Sequence, residues 1–280
     1  MRPRRSIICT IAAIGLLASL GTAVPATARP SRSIVTWAPA STATIHPGVQ
    51  VTSEAGQCTS NFIYTSGTNV YIGVAAHCFG TGGPTDTNGC ETDSLGLGTP
   101  AEIEGASQPG TLAYSSWITM NQRGESDEDT CSYNDFALVE IDPVDVAKTN
   151  PSVPFWGGPN GLEASVEPGE DVYSYGNSSL RLGIPELSPK RGICVDRYAD
   201  NWEYDVYTVS PGVPGDSGSG FLSATGKAFG VLSTLQAAPL AGSNGVGNLA
   251  KELAYASSNG SIGSVTLVNG TVSFDGSRIV

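Results

Sequence analysis

Short runs of apolar residues, alternating with polar ones and cut by turn clusters, set the pattern of this chain. Asn61-Phe62-Ile63-Tyr64 and Val70-Tyr71-Ile72-Gly73-Val74 flank the turn formers Ser66-Gly67-Thr68-Asn69. This predicts a β-hairpin whose far end delivers His77. The run 135–141 predicts another strand, with Phe136, Leu138 and Glu140 on one face and Ala137, Val139 and Ile141 on the other. The second face is the more apolar and is expected to look into the core. Further strands are expected at 171–175, 204–209 and 228–233. One helix is expected, late in the chain: Asn248 is a capping residue, Leu249, Leu253 and Ala256 recur at helical spacing, and Gly260 follows as a stop. Residues 265–268 and 271–274 flank Asn269-Gly270, a two-residue hairpin signal. Pro151, Pro154, Pro159 and Pro168 mark 150–170 as a linker between two halves. Many short strands and little helix define an all-β chain, a barrel or a sandwich, and pattern alone does not choose between them.

The first residues depart from that pattern. Arg2, Arg4 and Arg5 precede a mostly apolar run at 7–20, and Ala26-Thr27-Ala28 fits a small-x-small cleavage site. Residues 1–28 therefore read as a secretory signal peptide rather than a membrane anchor. Residues 29–44, rich in Pro, Ser and Thr, read as an N-terminal arm or a short pro-segment. Losing the three signal arginines takes the net charge from −12 to −15. An acidic chain of this kind repels nucleic acid and anionic lipid, so neither is an expected partner. The expected location is extracellular.

The cysteines fit that location. Six become five once Cys9 leaves with the signal, and oxidising surroundings favour disulfides. Cys58 and Cys78 flank the strand pair that ends at His77, and they are expected to be bridged. Connectivity of Cys90, Cys131 and Cys194 is open; Cys90–Cys131 is favoured because both lie in the same half. No Cys-x-x-Cys or Cys-x-x-His spacing suggests a metal site. The acidic cluster at 125–129 reads as a solvated loop rather than a calcium site.

Candidate chemistry concentrates in two places. Gly215-Asp216-Ser217-Gly218-Ser219-Gly220 surrounds a serine with glycines, and Ala75-Ala76-His77-Cys78 places a histidine at a strand end. A serine hydroxyl is a poor nucleophile until an imidazole activates it. The mature chain has only His46 and His77 to offer. Asn134-Asp135-Phe136-Ala137-Leu138-Val139 opens an apolar strand with a carboxylate, the kind of group that fixes a histidine tautomer. Together these stretches resemble the chymotrypsin-like (trypsin-fold) serine proteases. The likeness is greatest to secreted bacterial members, which share the proline of Val213-Pro214-Gly215-Asp216-Ser217-Gly218. It covers roughly residues 45–258.

The resemblance implies two antiparallel six-stranded β-barrels packed face to face with a short C-terminal helix. The first barrel would be 45–150 and the second, with the helix, 151–258; 259–280 would follow as a hairpin extension. It implies a catalytic set of His77, Asp135 and Ser217, in the chain order of that family and not of α/β-hydrolases or subtilisins. Gly215 and Ser217 would form the oxyanion hole. Asp216 would be buried. In many animal relatives a freed N-terminal amine pairs with that carboxylate, but Ser33-Ile34-Val35-Thr36 matches their start only loosely. An internal cation is expected instead, from Arg181, Arg191 or Arg197. Pro211, Gly212, Val213, Ser233, Thr234 and Leu235 would line the specificity pocket. Its floor at Pro211 is not acidic, which argues against cleavage after Lys or Arg. Val231-Leu232-Ser233-Thr234 lacks the histidine of glutamyl-specific relatives, so a small or apolar side chain is expected before the cut.

The implied activity is that of a secreted serine endopeptidase acting on polypeptides as a monomer, without a cofactor. The alternative is a catalytically silent binding protein on the same scaffold, against which the retention of all three residues counts. An esterase or lipase would need a different order and a Gly-x-Ser-x-Gly elbow, which Gly215-Asp216-Ser217-Gly218-Ser219 lacks.

Overall fold

In the computed structural model, residues 35–83, 85–236 and 242–280 are described, and the alternating runs become short antiparallel strands. The expected signal peptide at 1–28, and residues 29–34 of the arm, lie outside the described residues. From Val35 onward the arm lies on the body: Ala38 N–H donates to Thr149 O at 2.9 Å, and Asn150 Nδ2 donates to Ala38 O at 2.6 Å.

The N-terminal half contains β1 (Gln50–Ser53), β2 (Gly56–Thr59), β3 (Ile63–Ser66), β4 (Asn69–Val74), β5 (Pro100–Ile103), β6 (Gly110–Ser115) and β7 (Ala137–Glu140). The C-terminal half contains β8 (Asp171–Tyr175), β9 (Pro189–Tyr198), β10 (Glu203–Thr208), β11 (Gly220–Ser223), β12 (Ala228–Gln236) and β13 (Ser243–Asn248). β14 (Thr266–Leu267) lies near the end of the chain. The β3–β4 hairpin forms as expected, with Ser66 opposite Asn69.

The second half is a closed six-stranded barrel in the order β10-β13-β12-β11-β8-β9. Its interior is filled by Val172, Cys194, Tyr204, Val206, Phe221 and Phe229, among others. The first half differs from the expected six-stranded barrel. Its strands form an open eight-stranded sheet, β14-β3-β4-β7-β6-β5-β1-β2. The chain passes straight from β2 into β3 through residues 60–62. Backbone bonds at that corner reach both sides: Ser60 N–H donates to Val49 O at 2.9 Å and Asn61 N–H to Gly73 O at 2.8 Å. One bent stretch thus serves both ends of the sheet, and β14 adds to the free side of β3.

Two other expectations gain detail and one, the tail hairpin, is corrected. Ala137, Val139 and Ile141, on the face expected to look into the core, are buried, and Phe136 and Leu138 on the other face are buried as well. The proline-rich stretch at 150–170 lies between β7 and β8, and it is packed: Trp156 is buried and its Nε1 donates to Ser174 O at 2.8 Å. The tail makes no Asn269-Gly270 hairpin. β14 pairs with β3, and the residues beyond it follow the 156–159 loop, with Gly158 N–H donating to Val272 O at 2.9 Å. A local turn signal is overruled there by two better partners already in place.

The late helix, α3 (Leu249–Asn259), forms as expected: Asn248 Oδ1 accepts from Ala250 and Lys251 N–H, and Leu249, Leu253 and Ala256 are buried. Two short helices were not expected, α1 (Ser116–Arg123) and α2 (Glu128–Tyr133). Among the described residues no helix is long and apolar enough to cross a membrane.

Candidate active site

β4 and β7 lie side by side, with Val74 opposite Ala137. That register brings the residues just after β4 against those just before β7. His77 sits in a single 3-10 turn (Ala76–Phe79) directly after β4, and Asp135 sits just before β7. His77 Nδ1 and Asp135 Oδ2 are 2.6 Å apart, and His77 N–H donates to Asp135 Oδ1 at 2.8 Å. Ser233 Oγ, on β12, donates to the same Oδ2 at 2.6 Å. An ionised carboxylate only accepts, so Nδ1 carries the proton and Nε2 of the neutral ring is left with its lone pair. Asp135 is 3% exposed, whereas the imidazole is 29% exposed.

The electrostatics follow from that asymmetry. Burial disfavours the His77 imidazolium, but the charge and hydrogen bond of Asp135 outweigh it, so its pKa is raised above the usual 6.5. Burial pushes the Asp135 carboxyl up, yet the His77 charge and the bonds from His77 and Ser233 hold it below its usual value. Each group favours the charged form of the other.

Ser217 arrives by two consecutive turns. Asp216 N–H donates to Val213 O at 2.8 Å, closing a turn with Pro214 and Gly215 at its centre. Gly215 has φ +94°, the left-handed value that the third position of a type II turn requires. Ser219 N–H then donates to Asp216 O at 3.0 Å, with Gly218 at φ +86°. A Cβ on Gly218 would lie 2.6 Å from Thr59 O and 2.8 Å from Ala75 N, so only glycine fits there. His77, Ser217 and Gly215 line one cavity of about 720 Å³. Within the described residues, the Ser217 hydroxyl, His77 Nε2 and the main-chain N–H groups of Gly215 and Ser217 have no hydrogen-bond partner. The residues that carry these two donors, this hydroxyl and this nitrogen all line the same cavity.

Asp216 is buried and points away from that space. Its Oδ2 takes Arg181 Nη2 at 2.5 Å and Lys190 Nζ at 2.8 Å, and its Oδ1 takes Arg181 Nε at 3.2 Å. Ser178 and Val213 N–H groups complete the shell at 3.1 Å each. Arg181 is thus the expected internal cation. Arg191 pairs with Asp171 and Arg197 with Glu167 nearer the surface. Lys190 was missed, although its place next to Arg191 on β9 puts the two on opposite faces. Burial pushes the Lys190 ammonium down to about 8, against the pull of Asp216. Burial pushes the Asp216 carboxyl up, but Arg181 and Lys190 hold it below its usual value.

Five of the six expected pocket residues, Gly212, Val213, Ser233, Thr234 and Leu235, line the cavity. Pro211 stands behind it instead, its carbonyl accepting from Lys190 Nζ at 2.9 Å and Arg181 Nη2 at 3.3 Å. Asn244 was missed; it also lines the cavity, and its Oδ1 accepts from Gly212 N–H at 2.8 Å. A polar residue in the small-residue strand β13 was the available signal.

Cys58–Cys78 and Cys90–Cys131 are bridged, and Cys194 is free and buried. Cys58, His77 and Cys78 bring possible metal-donor atoms within 4.8 Å of one another, but the two sulfurs are bonded to each other. The acidic cluster at 125–129 is used locally: Asp127 Oδ1 caps α2 through Thr130 N–H, and Glu125 Oε1 accepts from Ser126 and Asp127 N–H. His46 lies apart from the cleft, its Nδ1 2.9 Å from Pro47 O.

Solved structures share this architecture. Thermobifida fusca protease A superposes with TM-score 0.52 at 19% identity, over 81% of this chain and 99% of its own. A glutamic acid-specific serine protease that uses a histidine triad in substrate binding gives 0.50 at 18%, over 80% and 100%. Nocardiopsis protease gives 0.50 at 17%, over 80% and 98%. The chain has the fold of the chymotrypsin-like serine proteases. No protein-family model and no curated protein matches it.

Proposed function

We propose that the protein is a secreted serine endopeptidase, with His77 as base, Asp135 as its orienting carboxylate and Ser217 as nucleophile. The observation that carries this reading is the His77–Asp135 hydrogen bond, in which His77 also lines the cavity that Ser217 and Gly215 line. His77 Nε2 takes the proton from Ser217 Oγ as that oxygen bonds to the carbonyl carbon of a peptide. The carbonyl π electrons move to oxygen, and the N–H groups of Gly215 and Ser217 hold the charge. The C–N bond then breaks, and His77 gives its proton to the departing amine. Water, deprotonated by His77, frees the acyl group from Ser217. No cofactor takes part.

The cleft wall supports a small or apolar side chain before the cut, since Gly212, Val213 and Leu235 line it. The two histidines of the chain are too few for the histidine triad named for one of the solved structures. Two disulfides fit an oxidising compartment, in keeping with secretion. Purified protein and Ser217→Ala, assayed on a peptide library, test the reading. Wild type is expected to cleave after small or apolar residues, with kcat lower by about 10⁶ in the variant. Equal rates in the two proteins would overturn the assignment. Dominant cleavage after Lys or Arg would overturn the specificity.

A further inference from the structure

The Gly215 N–H owes its direction to the Pro214–Gly215 peptide, the central peptide of the Val213–Asp216 turn. Type I and type II turns share their end residues and differ by a flip of that peptide, with φ at the third position near −90° in one and +80° in the other. Glycine tolerates both signs, so Gly215 does not by itself hold the φ of +94° it shows. A trans peptide points C=O and N–H in opposite directions. Whatever anchors Pro214 O therefore also aims Gly215 N–H.

That anchor is a single buried side chain. Ser178 Oγ donates to Pro214 O at 2.5 Å. The same oxygen accepts from Leu180 N–H at 3.1 Å, which leaves its one proton for Pro214. Ser178 N–H donates to Asp216 Oδ1 at 3.1 Å. One residue thus grips the turn both before and after Gly215. The next peptide is tied separately, with Gly215 O accepting from Thr59 Oγ1 at 2.7 Å and Gln57 Nε2 at 3.0 Å. Ser178 also caps the 3-10 turn Ser179–Arg181 that carries Arg181 to Asp216.

We propose that Ser178 is a positioning residue of the oxyanion pocket, its hydroxyl locking the Pro214–Gly215 peptide with N–H toward the cleft. The proposal rests on the serine-protease reading above. With the hydroxyl gone, the peptide is free to turn its carbonyl toward the cleft, where it repels a developing oxyanion. The loss falls on the tetrahedral state and leaves substrate binding nearly untouched.

Ser178→Ala and Ser178→Thr, compared with wild type, test this. Hydrolysis of a small-residue peptide amide and inhibition by the matching peptide aldehyde, whose hemiacetal oxygen occupies the same pocket, are both measured. In Ser178→Ala, kcat is expected to fall about 10–100-fold, part or most of what loss of one oxyanion donor costs. Aldehyde affinity should fall by the same factor, while KM moves less than about threefold. Ser178→Thr, which keeps the hydroxyl, should restore most of the rate. Should Ser178→Ala not fold, as judged by near-UV circular dichroism, Ser178→Cys, with its weaker donor, is expected to show the same losses. Unchanged kcat and aldehyde affinity in a folded hydroxyl-free variant of an active wild type would overturn the role of Ser178 alone. A wild type that neither hydrolyses peptides nor binds the aldehyde would overturn the protease reading, and this proposal with it.

Discussion

Asp135 and Asp216 are both buried aspartates beside one cleft, yet their partners differ in kind. Asp135 faces an imidazole that is part-exposed and whose pKa it helps to hold above the usual 6.5. Asp216 is enclosed by a guanidinium, an ammonium and two main-chain N–H groups, all away from solvent. The first partner is a group that can take up and give back a proton, whereas the second set of partners holds its carboxylate in place through five hydrogen bonds. Asp216 is the carboxylate adjacent to Ser217 in the chain, but its oxygens are already occupied. It is left with structural work, and the bond to the imidazole falls to Asp135, 58 positions from His77 in sequence and 2.6 Å away in space. Neighbours in sequence and neighbours in chemistry are thus different residues.

The largest expected effect strikes the first site. Asp135→Asn removes the acceptor that fixes the imidazole tautomer, so kcat should fall about 10⁴-fold, roughly 5.5 kcal/mol of barrier. Urea unfolding should show a much smaller change in stability. At the second site the order reverses. Arg181→Met leaves Asp216 buried with one cation and should cost about 3–5 kcal/mol in urea unfolding. Lys190→Met replaces a desolvated ammonium by an apolar chain while the two Arg181 bonds remain, and about 0–2 kcal/mol is expected. Equal costs for Arg181 and Lys190 would erase the ranking of the two cations. The smallest effect is on pH. Asp135 raises the His77 pKa, and the base form is the active one. The acid limb of kcat/KM should therefore have its midpoint above about 6.5, with activity rising as pH rises through it. In Asp135→Asn the midpoint should move down; a limb that stays put would separate His77 from Asp135.

Much of this site was legible because its residues announce themselves locally. Gly215-Asp216-Ser217-Gly218 needs its glycines for positive φ and close backbone approach, and that need shows in the residue types. Asp135 was found by its place at the head of an apolar strand, and α3 by Asn248 and Gly260. Lys190 was not legible, since a lysine ordinarily keeps its charge in water and only the three-dimensional position of Asp216 makes burial tolerable. Ser178 carried no local mark either, because its role depends on a turn 36 residues away. α1 escaped notice because Ser-Trp-Ile-Thr mixes strand-forming residues into its first turn, and α2 because it buries only Thr130 and Cys131. The tail misled for the opposite reason: Asn269-Gly270 is a good turn, but β3 and the 156–159 loop were waiting as partners.

The central claim is that Ser217 is made nucleophilic by His77. A fluorophosphonate probe, which captures only an activated serine, tests it most directly on the purified chain, with mass spectrometry to locate the adduct. One adduct is expected, on Ser217, formed quickly in wild type, absent in Ser217→Ala and slowed by orders of magnitude in His77→Ala. An adduct on another residue, none at all, or equal labelling without His77 would contradict it.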